Sequence, residues 1–215
     1  MHNTVAICFA KTPGLTPAKT RLARHIGDER CLTLYALMVE RCRELMLQLA
    51  DFETYVAVNE AAAVASLYWR DLPTYVQSAG TLGEKLAHAE DFFFQRYSSI
   101  IFWGTDSPAL TVAHFSLVQR SLTAGEAVIV PALDGGFAVY GASSKLPMGS
   151  WDKIHYSTSS TCHELQAQMS SNFVLAPALS DLDTVDDIPA VLRQMEDSPS
   201  QGPAWDELKA FLQTL

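Results

Sequence analysis

The basic residues near the start of the chain are the first side chains whose type and spacing suggest chemistry. Lys11, Lys19, Arg21 and Arg24 precede the first acidic residue, Asp28, in a chain whose net charge is −9. An apolar run typical of a strand comes before them, and a helical pattern follows. Cations between a strand and a helix suit a polyanion such as a phosphate chain, because loop amides and the helix N-terminus add to the positive field. A solvated basic loop is the alternative interpretation.

Asp106 is an acidic counterpart to these cations. An apolar run over 100–103 leads into it, and Pro108 ends any further strand pairing. Asp106 is therefore expected at the carboxyl end of a strand, where open α/β sheets bind their ligands. A carboxylate there is a candidate ligand of Mg²⁺, which needs only one or two protein carboxylates and also takes water and phosphate oxygens. The alternative is a simple turn, since Asp-Ser-Pro is good turn chemistry.

A second acidic motif lies near the end of the chain. Asp181 and Asp183 alternate as residues of a strand do, which predicts both carboxylates on one side. Two acids on one side favour a metal ion or a cation nearby, so Asp183 is the second candidate metal ligand beside Asp106. Thr184 and Asp187 also match a capping box, which explains the motif structurally.

A glycine-containing motif, Asp134-Gly135-Gly136, separates two apolar runs. Asp-Gly supplies the positive φ angles of a tight turn, so the motif predicts a β-hairpin. In the functional alternative, the glycines let a substrate approach the backbone and Asp134 binds its hydroxyl groups.

Alternating strand and helix patterns position these motifs. The predicted strands cover 4–10, 52–58, 74–77, 100–103, 127–131, 137–141 and 173–176, and the predicted helices cover 28–50, 61–70, 81–97, 112–122, 159–169, 186–195 and 205–212. The alternation predicts right-handed βαβ units and a mainly parallel sheet, which the hairpin makes mixed. No linker divides the chain, so residues 1–215 are expected to form a single domain.

Composition excludes several functions. Net acidity argues against nucleic acid as a partner, and no apolar stretch approaches the roughly 20 residues of a membrane span. The chain has no recognisable secretory signal, and its four cysteines lack metal-binding spacing, which together predict a cytoplasmic protein. The sequence does not predict an oligomeric state.

A P-loop is a minor alternative for the basic segment. If Lys19 and Thr20 are its Lys-Thr pair, the motif needs glycines at 13 and 18, where Pro13 and Ala18 stand. Pro17 also removes an amide that a phosphate cradle would use.

Six segments together carry a family resemblance. They are Phe9-Ala-Lys-Thr-Pro13, Lys19-Thr-Arg-Leu22, Gly80-Thr-Leu-Gly-Glu-Lys-Leu86, Gly104-Thr-Asp-Ser-Pro108, Pro131-Ala-Leu-Asp-Gly-Gly-Phe137 and Asp181-Leu-Asp-Thr184. In this order they resemble the nucleotide-diphospho-sugar transferase (GT-A) superfamily, and more closely its DUF2064-type glycosyltransferase branch, which is related to molybdenum-cofactor and phospholactate nucleotidyltransferases. The resemblance implies a single Rossmann-like GT-A domain, three-layer α/β/α, with a mixed, mainly parallel sheet.

The resemblance also implies the site. The implied nucleotide-binding residues are Ala10, Lys11, Pro13, Lys19, Arg21, Gly80, Leu82, Gly83 and Glu84. Lys19 and Asp106 would be catalytic, and Asp106 and Asp183 would bind Mg²⁺ or Mn²⁺. Asp134, Gly135 and Gly136 would bind the acceptor. Thr16 departs from the pattern, because many relatives have glycine three residues before the motif lysine.

These observations predict a metal-dependent transferase that uses a nucleoside triphosphate or a nucleotide sugar and an unknown small acceptor. Nucleotidyl and glycosyl transfer both remain open, although three cations suit a triphosphate somewhat better. The alternative is a non-catalytic nucleotide- or sugar-phosphate-binding protein of the same fold. We further expect Ala10 and Gly104 to end neighbouring parallel strands, and Lys19 to be exposed, so that its replacement would leave folding intact.

Overall fold

A computed structural model describes residues 3–170 and 172–215. Within them, seven strands form one sheet: β1 (Thr4–Ala10), β2 (Glu53–Val58), β3 (Thr74–Val76), β4 (Ser99–Gly104), β5 (Ala127–Pro131), β6 (Phe137–Ala142) and β7 (Phe173–Leu175). The α-helices in this part of the chain are α1 (Thr20–Ile26), α2 (Asp28–Gln48), α3 (Leu82–Phe93), α4 (Val112–Thr123), α5 (Thr161–Gln168), α6 (Ile188–Glu196) and α7 (Pro203–Leu212).

The strand order is β3-β2-β1-β4-β6-β5-β7. β6 runs antiparallel to its neighbours β4 and β5, and the other neighbouring strands run parallel. β1 lies beside β4 with Phe9 opposite Gly104. This confirms that Ala10 and Gly104 end neighbouring parallel strands. The loops that follow them therefore share one edge of the sheet.

Helices cover both faces of the sheet because the side chains of its buried strands alternate in direction. In β1, Ala6 and Cys8 face a core that α2, α4, α6 and α7 complete. Val5 and Ile7 face a second core, which α3 and α5 complete. The predicted three-layer α/β/α architecture with a mixed, mainly parallel sheet is confirmed.

Several predicted elements differ from the structure. Helix α1 begins inside the segment predicted as loop, at Thr20. The helix predicted over 61–70 is instead two 3₁₀ turns, Ala61–Ala65 and Leu67–Trp69, because Ser66 between them is extended and accepts a hydrogen bond from the amide of Tyr68. Helix α3 ends at Phe93, four residues before the predicted 97. None of the helices described is both long and apolar enough to span a membrane.

Candidate active site at the ends of β1 and β4

A cavity of about 440 Å³ opens at the edge of the sheet where β1 and β4 end. Its walls come from the ends of these strands, the loop after β1, helices α2 and α3, and the start of β6. This is the carboxyl edge of the parallel strands, where doubly wound sheets bind ligands.

Lys19 is the central side chain of this edge. It caps α1 in a left-handed conformation, with φ 52° and ψ 41°, which a residue with a Cβ adopts at a cost of about 1 kcal/mol or more. Its side chain is only 4% exposed, so the expectation that Lys19 is exposed is wrong. The Nζ atom forms an ion pair with Asp106 and lies 2.7 Å from Oδ1 of Asp183. The two candidate metal ligands therefore converge on one ammonium group.

Charges around Lys19 keep the group ionised. Burial by itself lowers the pKa of Lys19, but the carboxylates of Asp106 and Asp183 outweigh it and raise that pKa above its usual value. Burial by itself raises the pKa of Asp183. The positive charges of Lys19 and Arg21 outweigh burial and leave that pKa below its usual value. Arg21 is an outer partner, with Nη1 3.9 Å from Oδ2 of Asp183.

Asp181 has an environment different from that of Asp183. The prediction that the two acids alternate along a strand is wrong, because residues 181–183 form no strand. A backbone hydrogen bond of 2.9 Å, from Leu182 N to Asp106 O, holds this segment to the loop after β4. Asp181 turns inward and accepts a hydrogen bond from Ser107. Burial raises the pKa of Asp181 to about 7, assisted by Asp106 and opposed by the Ser107 hydrogen bond.

Three backbone amides of the loop after β1 are already used within the protein. The amide of Lys11 donates to the Tyr35 hydroxyl (3.2 Å), and the amide of Thr12 donates to Oε2 of Glu60 (3.2 Å). The amide of Leu15 closes a turn onto the Thr12 carbonyl. Proline at positions 13 and 17 contributes none. These five positions therefore cannot contribute amides to a P-loop cradle.

The residues singled out in the sequence divide into two groups. Those that line the cavity are Ala10, Lys11, Lys19, Leu82, Asp106 and Asp183. Those outside the cavity wall are Pro13, Arg21, Gly80, Gly83, Glu84, Asp134, Gly135 and Gly136. Gly83 instead packs against the carbonyl of Trp151, where a Cβ would lie 2.7 Å from the oxygen. Glu84 completes a capping box with Thr81 at the start of α3.

The Asp134-Gly135-Gly136 motif forms the predicted hairpin between β5 and β6. Oδ1 of Asp134 accepts a 2.8 Å hydrogen bond from the amide of Gly136, and Gly135 has φ +97°. The carbonyl of Gly135 accepts a 2.8 Å hydrogen bond from the amide of Cys162 in α5. The turn therefore anchors β6, whose first residue, Phe137, lines the cavity.

Several cavity residues were not found by sequence reasoning. Asn59 and Gln77 follow β2 and β3 directly, so the rule that ligands bind at strand ends would have found both. Lys85 lies within the Gly80–Leu86 motif and donates a 2.7 Å hydrogen bond to Oδ1 of Asn59. Tyr35 carried no separate signal, because its helical spacing marked it as a core residue.

The acidic pair fits a small divalent cation. The described residues hold no group of three or more His, Cys, Asp or Glu side chains suited to a metal. Magnesium needs only one or two carboxylates when substrate phosphates supply further oxygens. Asp106 and Asp183 meet this requirement because both reach one nitrogen atom. An ion bound by both would exchange with the ammonium of Lys19.

Comparison with solved structures identifies the fold. A proposed nucleotide-diphospho-sugar transferase from Desulfovibrio desulfuricans G20 matches with a TM-score of 0.85 and 21% identity, over 100% of this chain and 98% of that one. Rv0371c from Mycobacterium tuberculosis H37Rv, in complex with manganese, matches with a TM-score of 0.53 and 16% identity, over 89% and 98%. A CMP:2-keto-3-deoxy-manno-octonic acid synthetase in complex with CTP matches with a TM-score of 0.56 and 11% identity, over 90% and 98%. Identities this low show the fold alone, which is the one that the resemblance implied.

The family follows from the sequence itself. The family model described as "Uncharacterized protein conserved in bacteria (DUF2064)" matches residues 44–158, more than half of the 215 residues. The chain belongs to this family, so the DUF2064 resemblance is confirmed. No curated protein matches the sequence.

Proposed function

We propose that this protein is a transferase that uses a nucleoside triphosphate or a nucleotide sugar and depends on Mg²⁺ or Mn²⁺. The observation that carries the proposal is the convergence of Asp106 and Asp183 on the Lys19 ammonium, at the rim of a cavity beyond β1 and β4. Structural neighbours solved with manganese and with CTP support the same class.

Three lysines favour nucleotidyl transfer over glycosyl transfer. Lys11, Lys19 and Lys85 all line the cavity. A triphosphate carries more negative charge than a diphosphate sugar, so it gains more from three nearby cations. The three lysine side chains would balance part of the phosphate charge by charge-assisted hydrogen bonds.

Each of these residues would have a distinct role in the transfer. Asp106 and Asp183 would hold the metal ion, which when bound supplies Lewis-acid neutralisation of phosphate charge. Once Asp106 and Asp183 no longer pair with Lys19, its ammonium would be free to approach the phosphate oxygens, where charge develops during transfer. Lys11 would hold the phosphate chain in line for direct attack by a small acceptor. We place that acceptor beside β6, at Phe137, with Asp134 and its glycines supporting the wall.

A second candidate function rests on the same lysine. Because Lys19 already pairs with both acids, the protein could bind a nucleotide or sugar phosphate without metal and without turnover. Such a protein would keep the ammonium between the acids and use Lys11 and Lys85 for the phosphates.

Binding measurements separate the two functions. Thermal-shift and calorimetric titrations would compare the four ribonucleoside triphosphates and UDP-glucose, each with MnCl₂ and with EDTA. A metal-dependent transferase should show stabilisation that requires Mn²⁺ and grows with ligand concentration over Kd. Equal binding in EDTA would favour the metal-independent binder. Release of pyrophosphate from a bound triphosphate, or of UDP from the sugar nucleotide, would then assign the transferred group.

We also propose that residues 1–215 act as one domain in a reducing, cytoplasmic compartment. A single sheet unites the described strands, and the four cysteines are buried and free.

A further inference from the structure

Tyr35 connects the two loops that carry the candidate site. Its hydroxyl donates to the carbonyl of Lys11 (3.1 Å) and accepts from the amide of the same residue (3.2 Å). The same oxygen lies 3.4 Å from Oγ1 of Thr105. Lys11 directly follows β1, and Thr105 directly follows β4. One side chain on α2 therefore contacts both loops at their bases.

The hydrogen-bonding capacity of the Tyr35 hydroxyl is fully used. Burial raises the pKa of Tyr35, and the nearby charge of Asp106 adds to the effect, so the phenol keeps its proton at neutral pH. That single proton goes to the Lys11 carbonyl, so Thr105 must be the donor in its contact with Tyr35. Tyr35 is thereby a structural link and not a ligand for substrate.

Tyr35 borders two cavities near the base of the loop after β1. Tyr35 lines both the candidate site and a second cavity, of about 370 Å³. Ala18, from the loop after β1, also borders both cavities. The ring of Tyr35 is buried, and its hydroxyl contacts add polar links between the bases of the two loops.

The link through Tyr35 differs in kind from the link through Lys19. Lys19 joins the same loops by ion pairs with Asp106 and Asp183, which binding of a metal ion would break. The hydrogen bonds of Tyr35 are neutral and do not involve either acid. They persist through the exchange that the proposed function requires.

We infer that Tyr35 is a positioning residue that holds Lys11 and Asp106 at the separation needed to bind a phosphate chain and a metal ion together. This inference rests on the proposed function. The two acids lie in the loop after β4 and in the segment before α6. The hydrogen bond from Leu182 N to Asp106 O joins these two segments without any contact to Tyr35. Tyr35 should therefore matter for the joint binding of metal and phosphate, and little for metal alone.

The test uses inorganic tripolyphosphate as a probe, which makes it independent of the base. Calorimetry would measure the affinity for Mn²⁺ alone and for tripolyphosphate at saturating Mn²⁺ in the parent, Tyr35→Phe and Tyr55→Phe. Tyr55 is the matched control, because its hydroxyl bonds to Glu53 on β2 and does not line the cavity. Tyr35→Phe should weaken tripolyphosphate binding about 5- to 20-fold and change Mn²⁺ affinity by less than about twofold. Tyr55→Phe should match the parent.

Thr105→Val is a second variant in case Tyr35→Phe folds poorly. It removes only the Thr105 donor and keeps both bonds to Lys11, so a weakening of about two- to fivefold is expected. Parent-like tripolyphosphate affinity in Tyr35→Phe would overturn this inference but not the proposed function. A loss of affinity in Tyr55→Phe equal to that in Tyr35→Phe would do the same. So would a proportional loss of Mn²⁺ affinity, because that indicates a general structural role. A parent that binds no tripolyphosphate would overturn the proposed function and this inference together.

Discussion

The Nζ atom of Lys19 lies 2.7 Å from Oδ1 of Asp183, although 164 residues separate the two in the chain. The same nitrogen pairs with Asp106, so the loops after β1 and β4 and the segment before α6 meet at one ammonium group. A divalent ion and Lys19 would compete for the same carboxylates. The competition can be measured without knowing the substrate.

Lys19→Met should lower the melting temperature in EDTA and make the protein more responsive to Mn²⁺ than the parent. Without the ammonium, Asp106 and Asp183 lose their shared cation and only the more distant Arg21 remains beside Asp183, which costs about 2 kcal/mol for partly exposed acids. An ion then restores the missing charge, so Mn²⁺ should raise the melting temperature of the variant by several degrees more than that of the parent.

Lys85→Met is the control for this experiment, because Lys85 also lines the cavity but donates its hydrogen bond to the side-chain oxygen Oδ1 of Asn59. It should show no added response to Mn²⁺. A Lys19→Met variant that responds like the parent would contradict the shared acid pair.

Asp106→Asn and Asp183→Asn should each weaken Mn²⁺-dependent triphosphate binding at least tenfold and change the melting temperature little. Each substitution removes a candidate metal-binding carboxylate but leaves a side-chain oxygen that can accept a hydrogen bond from Lys19. Isothermal titration with and without Mn²⁺ measures the effect. Asp91→Asn, at an exposed acid paired with Lys145, should bind like the parent. Parent-like binding by Asp106→Asn would favour the metal-independent binder.

Gly135→Ala should destabilise the protein much more than Gly149→Ala. Both glycines have positive φ, +97° and +76°, so the conformational cost of about 1 kcal/mol is common to both. A Cβ at Gly135 would overlap the backbone of Ser159, which cannot yield, whereas the space around Gly149 is open. We expect a further loss of about 2 kcal/mol, or roughly 4–8 °C. Equal melting temperatures for the two variants would show that the hairpin does not pack on the segment before α5.

The unfolding free energy of the Glu90→Gln variant should increase, relative to that of the parent, as pH rises from 5 to 8. Burial raises the pKa of Glu90 to about 7, while Leu146 N donates to Oε1 and partly opposes the shift. The native state therefore binds a proton that the unfolded state releases near pH 4.5, and the parent loses stability as pH rises through this interval.

The glutamine variant has no such proton, so the gap in unfolding free energy should widen by about 2 kcal/mol. Urea denaturation at both pH values measures this gap. Glu207→Gln, on the exposed side of α7, reports the effect of removing a surface carboxylate. A gap of constant size would contradict the assigned pKa shift.

Local features were predictable because the residues that form them are neighbours in the chain. Strand β1 has the predicted bounds, and the capping boxes at Thr81 and Thr184 are both present. The hairpin at Gly135 is also as predicted. Each of these depends on side chains within about four positions, or on a single periodicity. The roles in binding that the family resemblance implied stay predictions.

The sequence by itself determined the alternation of strands and helices, the meeting of β1 and β4 at one edge, and the basic and acidic motifs beyond their ends. Only the tertiary structure decided that Lys19 is buried between two acids, that Asp181 turns away from Asp183 toward Ser107, and that Tyr35 joins the two loops. The reason is physical. Periodicity and turn chemistry act over a few residues, whereas burial and ion pairing depend on which distant segments the packed sheet brings within a few ångströms.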